Sequence, residues 1–245
     1  MEAIFELLVP ATFVSMLVVE RVFPARALPP ARFWLVKGIA FFIMTAGLGA
    51  VAPAVFAAVL APYAPIHLDG LPLPVAGLIG FVVVDFVSYL VHRLAHNWPW
   101  LWRWTHQMHH SAERVDIAGA AIFHPFDILL GSAITTVCVV MLGLTPGAAA
   151  LAGLLSAFTG LFSHLNVRTP RWLGFIIQRP EAHAIHHARG VHAYNYGNIM
   201  LWDIAFGTFR NPDTFTEPAG FWDGASRQLV AMLIGKDITE PTADR

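Results

Sequence analysis

Apolar residues run almost unbroken over residues 4–23, with Glu6 near one end and Glu20 and Arg21 near the other. A second run begins near Phe33 and stays uncharged from Gly38 to His67. It reads as one long segment over residues 33–62, either a tilted or Pro53-kinked helix or a helix followed by a re-entrant piece. Residues 71–91 form the third run and contain one acid, Asp85. After a polar gap, residues 128–144 and 148–165 flank a Thr145-Pro146-Gly147 breaker, which predicts a tight helical hairpin. A helix needs roughly 20 residues to cross about 30 Å of hydrocarbon. The pattern therefore predicts an all-α, polytopic membrane protein with four to five apolar helical segments, of which the frequent Gly and Pro leave one or two open to a re-entrant path.

Composition agrees with that reading. The 245 residues are 56% hydrophobic and 13% charged, with a mean hydropathy of +0.59, whereas soluble domains carry about 25% charged residues. The position of the basic residues then predicts an orientation, because Lys and Arg collect in cytoplasmic loops during insertion. Every Lys and Arg falls in three stretches: Arg21 to Lys37, Arg93 to Arg114, and Arg168 onward. Residues 1–20, 61–74 and 143–148 hold none. Five crossings from an outside N-terminus place all three stretches on the cytoplasmic face. The whole chain, residues 1–245, then reads as one membrane-embedded domain whose cytoplasmic cap is formed by residues 92–127 and 166–245. A net charge of −1 without a basic run gives no reason to expect nucleic acid. The single Cys138 lies inside an apolar segment and reads as packing. The first segment has an acidic lead and no small-residue cleavage site before Pro24, so it is expected to be retained as a helix.

Eight of the twelve histidines fall in three tight motifs, His92-x-x-x-His96, His106-x-x-His109-His110 and His183-x-x-His186-His187. A helix turns about 100° per residue, so histidines three or four apart share a face, and those at i and i+4 can meet one metal. A lone histidine is more often a packing residue than a ligand. Three clusters in one chain are different: crowded neutral imidazoles each need a hydrogen-bond partner, and protonated ones repel. Eight nitrogen ligands suit two ions better than one. Ligand softness allows Fe, Zn, Cu or Ni. The abundance of ligands and the lack of an H-E-x-x-H arrangement argue against a zinc hydrolase and favour iron. Asp85 continues the stripe of Tyr89, His92 and His96 down the third segment, and two readings of it stay open: an acceptor that orients a histidine, or a helix-to-helix hydrogen bond.

These motifs resemble the fatty acid hydroxylase and sterol desaturase superfamily of membrane di-iron oxygenases. The resemblance runs from about Val84 to Phe209 and takes in the three His boxes, Phe123-His124-Pro125, Ser163-His164-Leu-Asn166, Asn195-Tyr196-Gly197-Asn198 and Trp202-Asp203-x-x-Phe206-Gly207-Thr208. It implies that His92, His96, His106, His109, His110, His183, His186 and His187 are metal ligands, and that His164 is a ninth. Some members carry a further histidine where this chain has Arg168, which makes His124 the candidate substitute, with helix-capping or a supporting role as the other reading. Asp203 and Asn195, beside the third box, are expected to support the ligands along with Asp85. Arg93 is either an ion-pair partner or a membrane-surface anchor. His67, in the outer loop, and His192, in a Gly-flanked turn, are expected at the surface.

The resemblance further implies two iron ions, O2 as co-substrate, and hydroxylation or desaturation of a sterol-like, fatty-acyl or alkyl membrane lipid. No residue beyond the metal centre is expected to act directly in catalysis. The chain has no Gly-x-Gly-x-x-Gly and no cysteine set for an iron–sulfur cluster. Electrons are therefore expected from a cytochrome b5, a ferredoxin or a reductase. Two other classes stay open, a His-rich metal transporter and a zinc-dependent membrane hydrolase.

Overall fold

The computed structural model of the chain describes residues 2–215 and 218–241, with side chains from residue 7 onward. The described residues form helices and loops with no strand, only two isolated antiparallel bridges, Ile177 to Ile199 and Ala188 to Ala219. In order these are α1 (Glu2–Val22), α2 (Trp34–Gly49), α3 (Val51–Leu60), α4 (Leu73–Asn97), α5 (Pro99–Leu101), α6 (Gln107–His110), α7 (Ile117–Ala120), α8 (Pro125–Met141), α9 (Pro146–His164), α10 (Pro180–His186), α11 (Met200–Ala205) and α12 (Leu229–Leu233). Trp102–His106, between α5 and α6, is π-helical.

Among the described residues, three helical stretches are long and apolar enough to cross a membrane: Trp34–Tyr63, Leu73–Asn97 and Pro146–His164. The apolar α8 is shorter, at 17 residues. The first stretch is divided at Ala50 rather than bent at Pro53. The physical reason is the proline ring, which clashes with the carbonyl four residues back, here that of Gly49. The outward faces are apolar: Val36, Ile43 and Val59 are 64%, 65% and 64% exposed, as expected of side chains that face lipid.

Helix α4 packs along α9, α3 against α8 and α1 against α9. Small residues make the α4–α9 approach close. A Cβ on Gly77 would sit 2.7 Å from Leu151, and one on Gly80 3.3 Å from Ala152. The third apolar segment does not stop at Val91. Helix α4 continues to Asn97, because nothing breaks it before Pro99, and thereby carries His92 and His96 on successive turns.

Beyond the ends of α4 and α9 the remaining short helices form a cap with its own core. Trp34, Met108, Ala112, Ala118, Ile122, Phe221, Ala225 and Met232 pack together there. Met108 faces this core while its neighbours His109 and His110 face away from it, so hydrophobic burial aims the second His box.

Candidate metal centre

The three His boxes and His164 converge into two adjacent groups. His92, His96, His106, His110 and His186 form one, and His109, His164, His183 and His187 the other; in each group one ring nitrogen per residue lies within 4.8 Å of all the others. The boxes are split between the groups by their spacing. His106 and His110, at i and i+4, enter the first while His109 enters the second. His183 and His187 enter the second while His186 enters the first. The rings of His110 and His187 stack at 4.2 Å, which joins the groups side by side.

The hydrogen bonds on the outer ring nitrogens define what the inner ones present. His92 Nδ1 lies 2.7 Å from the Tyr196 carbonyl and His186 Nδ1 2.7 Å from that of Tyr194. A carbonyl only accepts, so both Nδ1 atoms carry the proton and both Nε2 atoms present bare lone pairs. His164 Nδ1 donates likewise to the Gly160 carbonyl at 2.9 Å, and His109 Nδ1 to that of Ile122 at 3.3 Å. His106 Nδ1 donates to Asp127 at 3.0 Å.

The inner nitrogens then face one another. Nε2 of His92 and His106 are 2.9 Å apart, those of His109 and His164 3.1 Å, those of His164 and His183 3.0 Å, and those of His183 and His187 3.0 Å. In the His92–His106 and His109–His164 pairs, where outer acceptors fix both tautomers, opposed lone pairs at that separation repel unless a cation lies between them. Two nitrogens each about 2.1 Å from a shared ion at right angles are about 3.0 Å apart, so the spacing fits imidazoles gathered around a metal. The buried Nε2 atoms of His96, His110 and His186 have no hydrogen-bond partner at all. Burial, reinforced by the neighbouring imidazoles, pushes His106, His109, His110, His183, His186 and His187 well below the ordinary histidine value of 6.5. The rings are therefore neutral near pH 7, the form that binds metal.

The loop 194–199 supplies two of the orienting carbonyls, and three buried side chains hold it. Asp203 accepts from the Tyr196 and Gly197 N–H groups, both at 2.9 Å, and from the Thr208 hydroxyl at 2.6 Å. Asp85 accepts from the Asn198 and Ile199 N–H groups at 3.0 and 3.2 Å. Its hydrogen bonds run to the loop that carries the Tyr194 and Tyr196 carbonyls rather than to a histidine. Asn195, in a left-handed conformation with φ 49°, donates to the Ala182 carbonyl at 2.9 Å and accepts from the Arg210 N–H at 2.8 Å. Arg179 performs the same service for α10. It is 1% exposed, bonds Thr169, Asn211 and Pro212, and pairs with Glu181 at 3.2 Å.

The structure favours one of the two readings of His124 and differs from the expectation for His192. His124 joins neither group: its Nδ1 accepts the Phe126 N–H at 3.1 Å and caps α8. Pro125 forces the residue before it into extended backbone, which suits an N-cap and turns the ring away from the histidines. The second group gathers four imidazoles without it. His192 is half-buried rather than fully at the surface: its Nδ1 lies 3.1 Å from His110 Nδ1, and its Nε2 is buried without a partner among the described residues. Its neighbours in sequence gave no ligand spacing to reveal this. Asp127, which accepts from His106 Nδ1, carries only one signal in the sequence, an acid in the first turn after Phe-His-Pro. Arg93 donates to the Tyr89 hydroxyl at 3.2 Å, and His67 is exposed as expected.

Comparison with known proteins agrees with this geometry. Residues 77–208 match the fatty acid hydroxylase family, a span that contains all nine grouped histidines. An ornithine lipid hydroxylase of Rhizobium tropici is 34% identical over 178 residues, 69% of this chain and 53% of that protein. A human alkylglycerol monooxygenase is 31% identical over 53% of this chain and 29% of its own length. A very-long-chain aldehyde decarbonylase of Oryza sativa is 26% identical over 54% of this chain and 53% of its own. The chain thus spans about half, or less, of the length of these relatives. No solved structure matches it significantly. With the His boxes assembled as the sequence pattern requires and the match covering more than half of the chain, the protein belongs to the fatty acid hydroxylase family, within the fatty acid hydroxylase and sterol desaturase superfamily.

Proposed function

We propose that this protein is an O2-dependent lipid hydroxylase or desaturase in which the two His groups hold two iron ions. The observation that carries the reading is a cavity of about 840 Å³ among α2, α3, α4, α8 and α9, walled by apolar side chains, with His92, His106 and Asp127 in its lining. An apolar chain lying in it meets imidazoles of the five-histidine group. Along α8 the cavity follows residues from Asp127 to Val140, a length of about 20 Å at the helical rise of 1.5 Å per residue. That is room for an extended acyl or alkyl chain.

Bound at the two groups, iron would supply the reduction of O2 and the oxidising power to break an unactivated C–H bond, chemistry beyond any side chain. The residues of the chain do the rest. Nine neutral imidazoles offer nitrogen ligands in two adjacent sets. The carbonyls of Tyr194 and Tyr196 and the carboxylate of Asp127 fix their tautomers and directions. Ile128, Leu130, Ile134 and Val139 exclude water from the bound chain. An external redox protein, of the cytochrome b5, ferredoxin or reductase kind, would deliver electrons. The three basic stretches of the sequence favour the cytoplasmic face for the His groups and one membrane-embedded unit over residues 1–245. The groups sit at the ends of α4 and α9 rather than midway along a path between helices, which disfavours a metal transporter.

The test is mass spectrometry of lipids from cells producing the intact protein or its His109→Ala and His186→Ala variants. A lipid gaining one oxygen, or losing two hydrogens, only with the intact protein supports the reading. Hydrolysed lipids, or unchanged lipids with altered metal uptake, would overturn it.

A further inference from the structure

A second cavity, of about 1050 Å³, lies between the α1–α2 loop and the cap and shares no lining residue with the cavity against His92 and His106. Six cations line it, Arg26, Arg32, Lys37, Arg114, Arg189 and Arg227, against two acids, Glu113 and Asp223. Both acids are engaged: Glu113 accepts from the Gly224 and Ser226 N–H groups, and Asp223 pairs with Arg189 at 2.8 Å. Arg114 is held by Asp116 at 2.7 Å. Among the described residues, Arg26, Arg32, Lys37 and Arg227 have no acidic partner. Arg26 is the most telling of the four. Its guanidinium lies 4.3 Å over the Phe215 ring, and its Nε is buried with no hydrogen-bond partner. A half-buried guanidinium whose Nε finds no partner among the described residues suits an anion.

The rim identifies the kind of anion. Leu28, Pro29, Pro30 and Phe33 form the apolar part of the wall. Phe33 is held in a left-handed conformation at φ 56° with its side chain out, a strained geometry that a bulky residue adopts only when the surroundings impose it. The next residue, Trp34, begins a stretch apolar and long enough to cross a membrane. The cavity thus joins unpaired cations to an apolar lip at the point where the chain enters the bilayer. We propose that it binds the phosphate of an anionic membrane lipid, with the guanidinium groups on the phosphate oxygens and the acyl chains lying against Phe33 and α2. A concave site with an apolar lip suits a headgroup with chains better than the convex acidic face of a protein. The inference does not depend on lipid oxidation.

Native mass spectrometry of the purified full chain, challenged with equal phosphatidylglycerol and phosphatidylcholine, tests it. The wild type should retain phosphatidylglycerol preferentially. The double variant Arg32→Gln, Lys37→Gln should weaken that retention by about tenfold or more, given the usual contribution of each cation near an anionic membrane surface. Arg26→Gln should weaken it too, and Arg171→Gln, an exposed cation outside the cavity, should leave it unchanged. Detergent melting of each variant checks folding, and the surface pair decides if Arg26→Gln does not fold. Equal retention of the two lipids, or retention indifferent to the surface pair, overturns the site. Stabilisation by soluble glycerol phosphate equal to that by phosphatidylglycerol overturns the lipid as its source. Impaired reduction by a redox protein with lipid retention intact reassigns the surface to a protein partner.

Discussion

Replacing Asp203 by Ala tests whether the loop 194–199 is the part that aims the ligands. The substitution removes the acceptor of the Tyr196 and Gly197 N–H groups and of the Thr208 hydroxyl. Thr208 has a second partner in the Tyr89 hydroxyl, 3.1 Å away, so two buried backbone donors are left without one. At about 1–3 kcal/mol for each unsatisfied buried group, the expected loss is about 4 kcal/mol. The loss is not purely one of stability, because the same loop carries the carbonyls that hold His92 and His186. Removing such an outer support typically weakens metal binding 10–100-fold. Asp203→Asn, which keeps one acceptor oxygen, should fall between wild type and Ala on both counts. The assay is a detergent melting curve paired with iron titration monitored by elemental analysis. The control is Gly80→Leu, which overpacks the α4–α9 contact about 18 Å along α4 from His92 at 1.5 Å per residue. If Asp203→Ala bound iron no worse than a Gly80→Leu protein of equal melting temperature, the positioning argument would fail.

Three further outcomes are expected. His186→Ala and His183→Ala should each first lose the ion of their own group, with stoichiometry by elemental analysis falling from two towards one, while His124→Ala should keep both and lose only about 1 kcal/mol of helix-cap stability; a metal loss at His124 equal to that at His183 would contradict the grouping. Burial depresses the six cap histidines below their unfolded value of 6.5, so the unfolded chain takes up more protons as pH falls. Stability is then complete above about pH 6.5 and declines as pH falls below it; melting curves and metal retention that do not change between pH 7.5 and 5.5 would refute this. Gly131→Phe projects a ring into the apolar cavity from a position with no neighbour within 4 Å of an added Cβ. It should cut lipid turnover at least tenfold with metal content unchanged, whereas unaltered turnover would remove that cavity from the proposed function.

The sequence by itself determined the helical membrane class, the approximate apolar segments, and the histidines that come together. Each of these depends on local regularity: apolar runs of spanning length, the breaker at Thr145 to Gly147, and imidazoles repeated at three and four residues. His92 and His96 share a face on any helix, whatever surrounds it. What lay beyond the sequence was every relation between segments. Helix geometry turns His109 from His110 and His186 from His187 by about 100°, but only the tertiary structure decided which group each one joins. Only it showed Asp127 reaching back to His106, Asp85 and Asp203 holding a loop more than 100 residues from α4's first turns, and His192 folded against His110. Isolated acids and histidines carry no periodic signal. Their roles come from which backbone groups and rings the fold brings within hydrogen-bond reach, and that is set by the packing of the whole chain.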